Sequence, residues 1–426
     1  MQINRKPITL HTHEGATAQH INKEQELRRS VMSCLLWEKE FYEDGIEIGL
    51  RINDLVKAVP LDVACLIAVE ARQDMHLRHV PLWIMACVIK NNKSAKVAIY
   101  IPEIIQRADE LAEFAAMLGE KKWFTSQVKQ GLAKAFTKFN AYQLAKYNRD
   151  NAWKLRDVLF LCHAKPENKE QEATWKQLID GILPVPDTWE VALSAGKDKK
   201  ETWERLLREN QLGGLALLRN LRNMNEAGVD RHLMADSISK MNTERILPFR
   251  FIAAARVVPG WEHVLETKMM ESIKDIHLSG TTTVLVDVSG SMEEALSAKS
   301  DMKRMDAACG LAMVLREICQ DIQVYAFSNQ LALIPARHGF ALRDAIVCSM
   351  AHGGTCLGEA IRRLPVSDRL IVVTDEQSQD RVTLPQHAKR YMINVASNQR
   401  GIGYGGWTHL DGFSEGIVRW IIENEK

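Results

Sequence analysis

Two hydrophobic periods divide the chain. From about residue 25 to about residue 270 the apolar positions recur at helical spacing, with few alternations of the strand kind. Leu27, Val31, Leu35 and Leu36 fall on one helix face. Leu61, Ala64, Cys65, Ala68 and Ala71 fall on a second, and Leu111, Phe114, Ala115 and Leu118 on a third. Breaks at Asp44-Gly45, Pro60, Pro81, Pro102, Pro166, Pro184, Pro186 and Gly213-Gly214 leave short amphipathic segments, the pattern of helical pairs stacked into a solenoid. No fixed sequence repeat accompanies them, so the solenoid is predicted from segment length and pattern alone.

After about residue 275 the pattern becomes strands alternating with helices. Thr281–Asp287, Ile322–Phe327, Arg369–Thr374 and Tyr391–Val395 read as strands, and 302–320, 340–349, 357–364 and 413–424 as helices. That alternation predicts a doubly wound parallel sheet. The expected fold class is therefore α followed by α/β. A helical-repeat domain is expected over 1–270 and a Rossmann-like domain over 275–426, with a connector between 270 and 280.

The 426 residues suffice for two or three domains, and 46% hydrophobic against 26% charged residues is ordinary globular composition. A net charge of +1 gives no global field for nucleic acid, so any basic surface has to be local. Eight scattered cysteines without a Cys-x-x-Cys pair read as reduced core residues, which predicts a cytoplasmic protein. No apolar run approaches about twenty residues and the first residues lack an apolar leader core, so neither membrane insertion nor secretion is expected.

The strand Val284-Leu-Val-Asp287 ends in Asp287-x-Ser289-x-Ser291, so one carboxylate and two hydroxyls leave the sheet together. Hard oxygen donors of this kind suit Mg²⁺, which keeps several waters and an open position for an acidic partner. Gly353-Gly354-Thr355 is a turn that presents the Thr355 hydroxyl, and Leu370-Ile-Val-Val-Thr-Asp375 is a second strand ending in a carboxylate. In a parallel sheet both strand ends open at one edge, where α/β folds place ligands, so Asp287 and Asp375 are expected to meet. Alone, Asp-x-Ser-x-Ser is a polar turn; the ordered combination predicts a divalent-metal site. An aspartyl-phosphate enzyme is disfavoured because Ser289 stands where such enzymes carry a second carboxylate.

Residues 121–156 hold Lys121, Lys122, Lys129, Lys134, Lys138, Lys146, Arg149, Lys154 and Arg156 against few acids, a cationic stretch interleaved with Trp123, Phe124, Tyr147 and Trp153. Lys134 and Lys138, at i and i+4, predict a cationic ridge on one helix face. Lysines with rings on which unpaired bases stack are the combination used by single-stranded nucleic-acid sites. The bland alternative is a solvated face over core rings. Arg72, His76, Arg78 and His79, and likewise Arg219 and Arg222, fit either a surface or an internal hydrogen-bonded cluster. His163 closes a helix, where an imidazole favours the helix dipole.

His11-Thr-His-Glu-Gly-Ala16, the segments 36–45 and 72–81, Lys146-Tyr-Asn-Arg-Asp-Asn-Ala-Trp153, Asp157-Val-Leu-Phe-Leu-Cys-His163-Ala-Lys-Pro166, Leu215-Ala-Leu-Leu-Arg-Asn220 and the metal motif together resemble the Ro 60 kDa autoantigen family. The resemblance covers nearly the whole chain. It implies a TROVE-type ring of HEAT-like helices over 1–270 and a von Willebrand factor A-type domain over 275–426. It further implies a noncatalytic ribonucleoprotein: a monomer whose basic helices bind Y-like small RNA, whose ring admits single-stranded ends of misfolded RNA, and which is linked to a 3′-to-5′ exoribonuclease.

 No membrane partner is implied. By motif match Lys146, His163, Arg149 and Arg156 fall in the Y RNA-contacting segment, with Lys129, Lys134 and Lys138 on the same basic stretch. Asp287, Ser289, Ser291, Thr355 and Asp375 match the metal-ion-dependent adhesion motif. The run Asn394 to Trp407 lacks the acidic segment associated with animal members, so partners of the metal face differ. Two competing classes remain. One is a metal-dependent adhesion or chaperone-like protein module with incidental RNA contact. The other is a nuclease or phosphatase, disfavoured because a single predicted metal lacks the paired carboxylates of two-metal chemistry.

Overall fold

The computed structural model describes residues 10–12, 15–20, 22–32, 45–73, 77–148, 152–184, 198–243, 246, 248–273, 277–296, 302–396, 402–412, 417–418, 421–422 and 425. Arg149, most of the 36–45 segment and much of the expected 413–424 helix lie outside them. Packing divides the chain into two compact units, residues 49–192 and residues 1–48 with 193–426.

The second unit opens with β1 (Leu10–His11), β2 (Thr17–His20) and α1 (Lys23–Met32). The helical unit then runs through α2 (Gly45–Ala58), α3 (Leu61–Gln73), α4 (His79–Asn91), α5 (Ile101–Ile104), α6 (Ala108–Leu118), α7 (Ser126–Phe136), α8 (Ala141–Tyr147), α9 (Leu155–Cys162) and α10 (Lys169–Asp180). Its boundaries follow local chemistry. The Thr125 side chain accepts from the Val128 amide to start α7, and Asn140 and Gln143 bond reciprocally to start α8. α9 ends at His163, which takes the left-handed conformation, φ 53°, as its C-cap. Val128, Leu132, Phe136 and Phe114 are fully buried between neighbouring helices. The Arg72 and Arg78 segment turns inward: Arg72 donates to Glu110 at 2.7 Å and to the Leu77 carbonyl at 3.0 Å, and Arg78 donates to Asp109 at 2.7 Å. Arg72 and Arg78 thus tie α3 and α4 to α6, His76 lies outside the described residues, and Arg219 and Arg222 are exposed.

Helices continue through α11 (Lys199–Arg208), α12 (Gly214–Glu226), α13 (Arg231–Lys240), α14 (Pro248–Val257) and α15 (Glu262–Glu271). The change from helices to strands falls at Leu278, yet these helices pack with the sheet-bearing residues. The following elements are β3 (Leu278–Asp287), α16 (Arg304–Ile318), β4 (Cys319–Phe327), β5 (Leu331–Leu333), α17 (Gly339–Val347), α18 (Leu357–Arg363), β6 (Arg369–Thr374), β7 (Lys389–Asn394), β8 (Ile402–Gly403) and β9 (Thr408–Asp411). Gly310 on α16 lets α14 approach closely, since a Cβ there would lie 2.8 Å from Ile252 Cδ1.

The main sheet has the order β5-β4-β3-β6-β7-β9, parallel except for the β4–β5 pair. The four predicted strands are present, and the short edge strands β5 and β9 extend them. Leu285, Phe327, Leu357, Leu370, Val372 and Met392 form a core on one face. On the opposite edge from the strand C-termini, Glu425 accepts from Arg369 at 2.6 Å, Lys389 at 2.7 Å and the Tyr391 hydroxyl at 2.9 Å. β1, β2 and β8 form a separate small antiparallel sheet, with Gln19 opposite Gly403.

Candidate metal centre and nucleic-acid surface

β3 and β6 are parallel neighbours, with Val286 opposite Val373. The chain leaves β3 towards β4 on one side and returns to β6 on the other, so the strand order reverses between them. Such a switch point opens a crevice at the C-terminal strand ends. Asp287 ends β3 and Asp375 follows β6, and both carboxylates are wholly buried. Thr374 Oγ1 donates to Asp287 Oδ2 at 2.5 Å, and the Ser289 amide donates to Asp287 Oδ1 at 2.8 Å. Burial, then the neighbouring Asp375 carboxylate, raise the Asp287 pKa well above the usual carboxylate range, against the pull of those hydrogen bonds.

Ser289 and Ser291 present their hydroxyl oxygens 3.4 Å apart. The Gly290 amide donates to the Gly353 carbonyl at 2.9 Å, which ties the serine loop to the turn carrying buried Thr355. The two glycines leave room for the Asn329 and Gln379 side-chain amides, which a Cβ on Gly353 or Gly354 would approach to 2.5 and 2.2 Å and push aside. Among the described residues no group of three or more His, Cys, Asp and Glu side chains assembles. The donors here are two carboxylates and three hydroxyls, an all-oxygen set gathered at a buried crevice, and this chemistry fits a hard dication that retains waters.

Three contributors escaped the sequence reading. Thr374 bridges the two strand ends. Arg304, only 1% exposed, donates from Nη1 to the Ser291 carbonyl at 3.2 Å and to Asp375 Oδ2 at 3.5 Å. Thr12 donates to the Ser378 carbonyl at 2.9 Å, so the amino-terminal segment holds the loop that follows Asp375. That loop contains Glu376 at φ 59°, a left-handed conformation that costs a residue with a side chain roughly 1–3 kcal/mol. The Tyr404 hydroxyl donates to the Glu376 carbonyl at 2.8 Å, and His409 Nδ1 lies 2.9 Å from Glu376 Oε1.

In the helical unit the basic residues separate into classes. Lys134 on α7 and Arg156 on α9 are exposed, Lys129 and Lys146 are half-buried, and His163 is exposed at the α9 terminus. Lys138 departs from the expected ridge because α7 stops at Phe136. Its ammonium instead donates to the Pro102 and Ile105 carbonyls, each at 2.7 Å, and burial lowers its pKa. It caps backbone carbonyls at the end of α5 rather than extending a helix face.

The four rings read as stacking platforms are also engaged within the protein. Phe124 is buried and packs on Trp153 at 5.4 Å. Lys93 and Lys122 lie over Trp123 at 5.0 and 5.2 Å, and Arg107 lies over Tyr147 at 4.7 Å. Among the described residues of this unit, the rings most open to solvent are Tyr142, 52% exposed, and Phe160, 57% exposed. Arg156 and Phe160 stand at i and i+4, so a cation and a ring share one solvent-facing stripe of α9, and the exposed His163 follows at the helix end in its left-handed cap. That spacing was visible in the sequence, but a search for charge alone passes over Phe160.

Helical repeats joined to a von Willebrand factor A-type sheet with an oxygen-lined switch point define the class. The family model of the TROVE domain matches residues 3–182 and 181–310. The crystal structure of the Ro (RSR) protein of Deinococcus radiodurans is similar over 92% of this chain and 97% of that one, with a TM-score of 0.62 and 18% identity. At that identity the likeness shows the fold. The chain belongs to the TROVE-domain family, the Ro-like group to which the sequence resemblance pointed. Among the described residues no helix is long and apolar enough to cross a membrane.

Proposed function

We propose that this protein is an RNA-binding scaffold of noncoding-RNA metabolism and quality control. Its basic helical surface binds a Y-like small RNA, and the protein receives single-stranded ends of misfolded RNA and tethers a 3′-to-5′ exoribonuclease. Family membership supports RNA as the partner class. The observation that carries the reading is the exposed cation-and-ring pair Arg156 and Phe160 on α9, with exposed His163 at the helix end, in the same unit as Lys134 and Lys146. Phosphates neutralised by such residues release counterions, so affinity for a structured small RNA is expected to fall steeply as salt rises. Salt-titrated binding of that RNA to the purified chain tests the reading; affinity absent even in dilute buffer removes it.

Asp287, Ser289, Ser291, Thr355 and Asp375 would hold Mg²⁺, which would supply a binding point for an acidic group of a partner protein. The same donor set supports a second reading, a metal-dependent protein-binding module with incidental RNA contact. Crosslinking and sequencing of RNA from cells separates the two, since the scaffold enriches a defined small RNA and the module does not. Both readings assign a noncatalytic role in a cytoplasmic monomer.

A further inference from the structure

The permanent charge of Arg304 has no part in the metal-binding motif, yet it sits inside the same cluster. A guanidinium cannot discharge itself by losing a proton, so its burial requires a fixed counter-charge. Asp375 supplies one, and the Ser291 carbonyl accepts a further hydrogen bond from the same nitrogen. The nearby Lys303 and His352 contact Glu293, so the charges on that part of the rim offset one another. Of the two carboxylates, Asp287 is pushed towards its neutral form by burial and by Asp375, while Arg304 sets one positive charge beside Asp375. A dication drawing on Asp375 would share that carboxylate with the guanidinium and would feel its repulsion.

We propose that Arg304 is a resident counter-cation of the metal site. It balances Asp375 when no metal is bound and weakens metal binding when one is, which makes occupancy exchangeable with the surrounding cation concentration instead of permanent. The inference rests on the metal reading above and adds a tuning role to a residue outside the donor set. Its sign is distinctive. If Arg304 merely braced the loop, removing it would loosen the site and weaken metal binding; a counter-cation, once removed, leaves the metal bound more tightly.

The test uses the full chain, with Mg²⁺ and Mn²⁺ affinities measured by calorimetry and unfolding temperatures measured with chelator and with Mg²⁺. Arg304→Met is expected to unfold at a lower temperature than the wild type in chelator and to bind Mg²⁺ at least about tenfold more tightly, the effect of one unit charge close to a dication even with water-like screening. Its Mg²⁺-dependent rise in unfolding temperature then exceeds that of the wild type. Arg304→Lys, which keeps the charge, is expected to retain wild-type affinity. If Arg304→Met folds only with Mg²⁺, that dependence itself supports the proposal; if it does not fold at all, Arg304→Gln is judged by the same criterion. A wild type that binds and a neutral variant that binds no more tightly overturn the role of Arg304. A wild type that binds neither metal overturns the metal reading instead.

Discussion

At the sheet edge, Asp287 and Asp375 are wholly buried and held by named partners, whereas Lys134 and Arg156 on α7 and α9 stand in solvent. The pocket concentrates its charges in a few fixed atoms, so each residue there is expected to act as a single point of failure. The helical surface distributes its charges over several flexible side chains, each contributing a modest and salt-screened amount. The proposed ligands match the difference: one compact ion for the pocket, a long polyanion for the helical surface.

The largest effect is expected from Asp287→Ala. It should abolish the Mg²⁺-dependent rise in unfolding temperature while leaving affinity for a structured small RNA unchanged. Scanning calorimetry with and without Mg²⁺, beside an RNA-binding titration, reads both quantities. Should RNA affinity collapse as well, the contrast between a point site and a distributed surface breaks down.

Next is the surface itself. Replacing Lys134, Lys146 and Arg156 together by Glu should lower RNA affinity about 100-fold or more and reduce the steepness of its salt dependence by about two to three charges. Lys138→Glu belongs elsewhere. Its ammonium satisfies the carbonyls of Pro102 and Ile105, so the expected outcome is a loss of stability of roughly 1–3 kcal/mol, seen in chemical denaturation. A Lys138→Glu chain that keeps its stability but loses RNA would return this lysine to the binding surface.

What the sequence revealed divides along the same line. Asp287, Ser289 and Ser291 lie within five residues on one strand-loop, and Asp375 and Thr355 carry their own strand and glycine signals, so the pocket could be read from local pattern. Arg304 could not, because nothing in Lys303-Arg304-Met305 distinguishes a buried cation from an exposed one. The contact of Thr12 with Ser378 spans nearly the whole chain and leaves no periodicity. β5 and β9 are too short, at three and four residues, for alternation to declare them. On the helical side, the sequence revealed where cations concentrate but not where α7 stops, and that stop decides which way Lys138 turns.

A smaller effect comes from the far edge of the sheet, which serves as a control on the pocket. Although burial pushes the other way, hydrogen bonds from Arg369, Lys389 and Tyr391 lower the Glu425 pKa to about 2. A carboxylate whose folded pKa lies below its unfolded value stabilises the fold above the unfolded value, near 4.3, and loses that contribution as pH falls towards the folded one. Glu425→Gln should therefore cost roughly 2 kcal/mol at neutral pH and flatten the fall in stability between about pH 4 and pH 2. Metal affinity should not change, since Glu425 sits at the opposite strand ends. Altered Mg²⁺ binding in this variant would show that the pocket depends on global sheet stability and not on its own atoms.

The smallest and most discriminating effect is expected at Phe160. Its ring is 57% exposed, so truncation removes little packing and the fold should be unaffected. Stacking of an unpaired base on an aromatic ring contributes about 1–3 kcal/mol, and at a solvent-facing site the low end applies. Phe160→Ala should therefore weaken binding of an RNA with an unpaired loop several-fold, with the salt dependence unchanged because no charge is removed. Phe160→Trp should restore binding, and a fully paired duplex should not distinguish any of the three chains. A several-fold loss for duplex as well as loop would mean that the α9 stripe recognises shape and phosphate alone. The distributed surface would then be purely electrostatic, and the contrast with the pocket sharper than the presence of an open ring suggests.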